Sequence, residues 1–243
     1  MKVIDRIDRF CGYFRNQVEC IGNLQINPDV FKNTDNEANQ VRFYKKVLLI
    51  SAIDTLAGIR FPKETYPQLN KKNQERFIKF ITDSDIWPEG NLVSIPFLAE
   101  HVSTGKISKG KLLDFINGHM SKSPDNHDFS IAATEIDVQI EKLLTMVKTE
   151  QEEKVIRENQ HYELLYRYRN YLIHEAREPG KAMDITLDNI PYYHGYIGDK
   201  KLYLAYPVGM FEVITTNSIH FIENYTKQNS IDPYDFVTET TRW

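Results

Sequence analysis

The sequence predicts a mainly α protein, a helical bundle with extra helices and one small β-hairpin near the C-terminus. Three observations predict it. Apolar residues recur three and four positions apart over most of the chain, Pro and Gly fall where those periodic runs stop, and between residues 192 and 208 the spacing changes to that of strands.

In order along the chain, Ile4, Ile7, Phe10, Tyr13 and Phe14 share one face of a helix over 3–20. Residues 24–39 lose periodicity and fill with Asn, Asp and Pro, which predicts a loop. A broader apolar stripe through Phe43, Val47, Ile50, Ile53, Leu56 and Ile59 predicts a helix over 39–59, stopped by Pro62. Phe77, Phe80 and Ile81 mark a helix over 72–83, and Trp87-Pro88-Glu89-Gly90 is a turn. One or two short helices fit 91–118, the second running from Lys109 to Ile116 with its stop at Gly118. A polar loop is expected over 121–128.

The longest periodic segment spans 131–174, with Ile136, Ile140, Leu143, Leu144 and Val147 in its first half and Leu164, Leu165, Tyr168 and Leu172 in its second. Its charged middle, 148–160, is either a solvated helical face or a break between two helices. Pro179-Gly180 ends it. Two strand-like runs, 192–197 and 202–208, flank Gly198-Asp199-Lys200-Lys201 as a hairpin within 190–209. A last amphipathic helix covers about 210–228.

A chain of 243 residues with 41% hydrophobic and 26% charged residues can bury its own core. It is expected to form one domain over 1–243, with 61–130 as a helical and loop insertion. The charged N-terminal stretch, Lys2 to Arg9, lacks the apolar run of a secretory signal, and no run approaches the length of a membrane span. A cytoplasmic protein without membrane contact is the expectation. Cys11 and Cys20 are then expected to be two free, buried thiols rather than a disulfide, and neither their number nor their spacing suggests a metal site. The net charge of −4 means that any nucleic-acid binding must come from a local patch, completed by a second subunit where one patch is too small.

The segment from Tyr166 to Glu175, YRYRNYLIHE, is the most informative. On a helix, Asn170 and His174 lie about 40° apart, and Arg169 lies about 140° from His174, within reach of a long side chain. Imidazole can exchange protons with a ribose 2′-hydroxyl or a leaving 5′-oxygen. A guanidinium can grip a phosphate and the extra charge of its five-coordinate transition state. Asn170 can orient the imidazole or donate to a phosphate oxygen, and the tyrosines can stack on bases or simply pack.

RNYLIHE resembles the R-N-x-x-x-H form of the active-site motif of the HEPN ribonucleases. Arg169 matches the family's Arg, Asn170 its frequent polar neighbour and His174 its His. Arg167 also precedes His174 by an allowed spacing; the Asn that follows Arg169 favours Arg169. The resemblance implies a HEPN-like bundle that dimerises so that two motif helices face each other and build one composite RNase site. It implies a metal-independent endoribonuclease, a toxin or antiviral-defence effector, that leaves a 2′,3′-cyclic phosphate. RNA, a second copy of the chain and an antitoxin or defence-system partner are the implied partners, with no cofactor and no metal. One departure is Ala176, which stands where toxins paired with a nucleotidyltransferase antitoxin commonly carry Tyr. The competing expectation is a non-catalytic HEPN-like module that binds RNA or protein.

Beyond the motif, Arg167, Tyr171, Lys106, Lys109 and Lys111 are candidate RNA contacts, since backbone contacts need only positive charge. The lysines lie in GKISKGK at 105–111, which has the spacing of a phosphate-binding loop but continues with Leu112 where a hydroxyl residue is needed. Asp54 lies amid an apolar stripe and needs a partner; Arg60 or the motif Arg can supply it. Asp54 and Glu175 are the acids expected to support the motif. His174-Glu175 does not begin a zinc helix, because Glu178 stands where the second His belongs. His161, His194 and His220 stand alone and read as surface or packing residues.

Overall fold

The structure, a computed structural model, describes residues 2–27, 37–83, 86–121, 128–182, 184, 189–199 and 201–237. The protein is mainly α. Its helices are α1 (Val3–Gly22), α2 (Glu37–Arg60), α3 (Asn73–Thr82), α4 (Ile95–Ser103), α5 (Lys111–Met120), α6 (Ala133–Ile136), α7 (Ile140–Leu144), α8 (Glu150–Glu158), α9 (His161–His174), α10 (Val208–Asn229) and α11 (Tyr234–Val237). The strands are β1 (Leu92–Val93), β2 (Phe129–Ala132), β3 (Val138–Gln139), β4 (Tyr192–Gly195) and β5 (Leu202–Ala205). Among the described residues no helix is long and apolar enough to cross a membrane.

The chain packs as two compact units, residues 1–87 with 172–177 and 211–243, and residues 88–171 with 178–210. Residues 61–87 fall in the first unit and 88–130 in the second.

In the first unit α1 packs against α2, and α2 against α3 and α11. Burial follows most of the predicted stripes: Ile7, Phe10 and Phe14 from α1, Ile50, Ile53 and Leu56 from α2, Phe77, Phe80 and Ile81 from α3, and Ile214 and Ile222 from α10 are buried, whereas Ile4 and Tyr13 of the α1 stripe are exposed. Salt bridges Lys227–Asp8 and Arg15–Glu223 tie α1 to α10. Phe61 donates its N–H to Ala57 to finish α2, and Pro62 has none to continue it.

In the second unit the hairpin predicted near the C-terminus forms, with Tyr192 opposite Ala205 and Gly195 opposite Leu202. It acquires a third strand. β2 pairs antiparallel with β4, Ala132 opposite Tyr192 and Phe129 opposite Gly195, so the sheet order is β2-β4-β5. Position 195 requires glycine because the Phe129 ring lies where a Cβ would project.

The single long periodic segment expected over 131–174 is instead β2, α6, β3, α7, α8 and α9. Local capping explains the breaks. Asp137 turns extended after α6 and aims its carboxylate at the N–H of Ile95, the first residue of α4. The Thr149 hydroxyl accepts from the N–H of Glu152 to open α8. Asn159 closes α8, its amide donating to the Val155 carbonyl, and its own carbonyl accepts from Ser94 N–H. The charged middle is thus a short helix followed by a break. The loops expected at 24–39 and 121–128 lie largely outside the described residues, as does Lys200 of the hairpin turn.

Candidate active site

Helix α9 carries the RN-x-x-x-H string. Leu164, Leu165, Tyr168 and Leu172, at spacings of one, three and four, are its buried stripe. The boundary between the two units falls after Tyr171, so Arg167, Arg169, Asn170 and Tyr171 belong to the second unit and His174 to the first.

Arg169 and Asn170 are half-buried and touch: the guanidinium Nη1 donates to Asn170 Oδ1 at 3.1 Å, and the guanidinium carbon lies 5.6 Å from the centre of the Tyr166 ring. His174 is exposed and is the last residue of α9. Two residues on, Ala176 adopts a left-handed conformation (φ 51°), so the chain leaves the helix axis there. Glu175 pairs with Arg177 through Nε at 2.9 Å and Nη2 at 2.6 Å. Tyr168 donates to Glu178, and burial followed by that carboxylate's charge pushes its hydroxyl pKa well above the ordinary tyrosine value.

Helix geometry sets the two arginines apart. Arg167, seven residues before His174, lies about 20° from it around the axis, and Tyr171 about 60°, whereas Arg169 lies about 140° away. Arg167 is exposed, with its Nη2 anchored on the Glu158 carbonyl and, at 3.4 Å, on Asn159 Oδ1.

The predicted RNA-contacting lysines are all exposed, and one of them shares a charged neighbourhood with Arg167. His101 of α4 lies close enough to both that, after burial, the charges of Lys106 and then Arg167 hold its imidazole pKa below the ordinary value, against Glu158 and Glu100. Lys109 and Lys111 flank Gly110, whose φ of 150° opens α5 and whose open side is occupied by the Lys148 ammonium. The loop is clamped from within. Glu152, 2% exposed, accepts from Ser108 N–H at 3.1 Å, Ser108 hydroxyl at 2.6 Å and Lys148 N–H at 2.8 Å. A carboxylate of the protein thus already holds donors that a phosphate loop would offer to its ligand.

Asp54 on α2 is half-buried and lines a cavity of about 410 Å³ with Lys63, Glu64 and Arg76. Arg60, one of the two partners considered for it, donates instead to the Tyr66 hydroxyl at 3.0 Å and packs on the rings of Phe61 and Tyr225. Both cysteines are free, but only Cys11 is buried; Cys20, expected to be buried too, is exposed, because nine residues apart on α1 the two project from opposite sides of the helix.

Two features went unread in the sequence. One is a buried polar cluster: His161 meets Asp137 Oδ2 through Nε2 at 2.7 Å and the Tyr206 hydroxyl through Nδ1 at 2.9 Å. Tyr193 donates to the same Asp137 oxygen and to Ser94 Oγ, each at 2.7 Å. The rule that singled out Asp54, an acid within an apolar run, applies equally to Asp137 between Ile136 and Val138. His161 is the packing residue expected, and His194, also buried, meets the Ser130 hydroxyl at 3.1 Å. The second feature is a cavity of about 290 Å³ in the second unit, lined by Arg167 and Tyr171 together with residues of β5.

Comparison with family models, with curated proteins and with solved structures finds no match for this chain. The fold and the α9 groups define a mainly α protein that presents Arg, Asn and His side chains on one helix.

Proposed function

We propose that the chain is a metal-independent endoribonuclease of the HEPN type, acting as a homodimer in the cytoplasm as a toxin or antiviral-defence effector. The observation that carries the reading is the exposed His174 imidazole at the end of α9, one turn beyond an Asn170 that already holds the Arg169 guanidinium. In this reading His174 of one copy takes the proton of a ribose 2′-hydroxyl as that oxygen attacks the phosphorus. His174 of the second copy gives a proton to the departing 5′-oxygen. The arginines balance the charge of the five-coordinate phosphorus, and a 2′,3′-cyclic phosphate and a 5′-hydroxyl result.

The test is cleavage of an RNA pool in EDTA. His174→Ala is expected to lower the rate by about 10²–10⁴-fold and Arg169→Ala by about 10²–10³-fold, each with the dimer intact by light scattering. Undiminished cleavage by pure His174→Ala protein overturns the assignment. The second reading, a non-catalytic module that binds RNA or protein, has one observation in its favour: Arg169 is held by its own neighbours, Asn170 and Tyr166. It predicts RNA or partner binding with no cleavage of any pool.

A further inference from the structure

The second unit contains a cavity of about 290 Å³ between α4, α9 and β5. That is near the lower end of small-molecule pockets, room for one base and its sugar. Its walls combine two kinds of group. Phe97, Tyr171 and Tyr203 are half-buried aromatics, each with surface still open to solvent. The lining also includes the exposed cations Arg167 and Lys201 and one exposed acid, Glu100, which pairs with Lys201 at 3.1 Å. An exposed ion pair of this kind is worth little, so Lys201 is readily shared with an arriving anion.

We propose that this cavity is a nucleotide-binding site, in which a nucleobase stacks against Tyr171 and Tyr203 and its phosphate is held by Arg167 and Lys201. Ring faces are what a base uses for stacking whatever its sequence. Two cations in one cavity lining suit a phosphate, and the Glu100 carboxylate is an acceptor for a base amino group. Arg167 is pre-set for this task. Its Nη2 is fixed by Glu158 and Asn159, and no hydrogen bond engages its Nε or Nη1 among the described residues. The site lies wholly within the second unit and does not depend on His174 or on RNA cleavage.

The nucleotide is either a free monophosphate or one residue of an RNA strand, and calorimetric titration of the full chain separates the two. Adenosine and guanosine 5′-monophosphates, their nucleosides, and a tetraribonucleotide are titrated in turn. The expected result is saturable binding of monophosphate, about tenfold weaker for the nucleoside. Tighter binding of the tetranucleotide than of the monophosphate assigns the site to RNA; weaker binding assigns it to a free nucleotide. Tyr203→Ala is expected to weaken both monophosphate and nucleoside about tenfold. Lys201→Glu, an exposed change with no expected effect on folding, weakens the monophosphate and leaves the nucleoside unchanged. His174→Ala binds as the unaltered chain does, which keeps this result separate from the outcome of the cleavage assay. No saturable binding of any of these ligands, or binding untouched by Lys201→Glu and Tyr203→Ala, overturns the proposal.

Discussion

The carboxylate of Asp137 and the imidazole of His161 meet at 2.7 Å with neither side chain exposed. The same carboxylate receives the Ile95 N–H and the Tyr193 hydroxyl, so one acid satisfies three buried donors from α4, β4 and α9. Burying a carboxylate is tolerable only when its lone pairs are used in this way. Asp137→Ala strands all three donors, and a loss of about 3–5 kcal/mol is expected in urea denaturation. Tyr193→Phe, which removes one donor and keeps the ring, is expected to cost about 0.5–1.5 kcal/mol. Equal, small effects of the two changes would show that the cluster is not a single unit.

Glu152 closes on Ser108 across 44 positions and holds the lysine loop against the start of α8. Burial raises its pKa, but the Ser108 hydroxyl and the surrounding N–H groups outweigh that, so the carboxyl titrates below its ordinary value. A carboxylate so depressed contributes stability above its unfolded pKa and loses it as pH falls through the folded one. Glu152→Gln is therefore expected to cost about 1–3 kcal/mol near neutral pH. Measured by urea denaturation, the gap to the unaltered chain should close as pH falls below about 4. A gap independent of pH would mean that the charge of Glu152 is not what clamps the loop.

His101 changes stability in the same direction but over a higher pH range. Its imidazole pKa is lowered by burial and then by Lys106 and Arg167, while Glu158 and Glu100 pull it back up. Because the unfolded chain binds this proton more readily, stability rises with pH through the interval below 6.5, the unperturbed value, and the effect is complete above it. Arg167→Ala and Lys106→Ala should each move the His101 titration upward, by NMR of the ring protons. A downward movement in either variant would place those cations elsewhere.

The two cysteines should report the packing of α1 directly. Burial pushes the Cys11 thiol pKa up to about 11, and the nearby Glu223 carboxylate adds to it. Cys20 is exposed. Thiolate, not thiol, is the reacting species, so iodoacetamide should modify Cys20 in the folded chain and Cys11 only after denaturation. Peptide mass spectrometry distinguishes them, and equal modification of both in the folded state would contradict the burial of Cys11.

Several parts of this molecule were determined by the sequence alone. The stripes through Ile7, Ile53 and Phe80, and the strands at Tyr192 and Leu202, are short-range patterns in which each residue's face follows from neighbours a few positions away. The placement of Arg169, Asn170 and His174 on one helix was legible for the same reason. Tertiary structure decided what short-range pattern cannot carry. Ile131 lies in the third strand rather than a helix because β4 lay ready to pair with it. Asp137 found the end of α4, Glu152 found Ser108, and Phe97, Arg167 and Tyr203 came to line one cavity from three distant stretches of chain. A buried carboxylate or a cavity wall is settled by which remote donors and rings the packed elements bring within a few ångströms, and residue spacing contains no record of that distance.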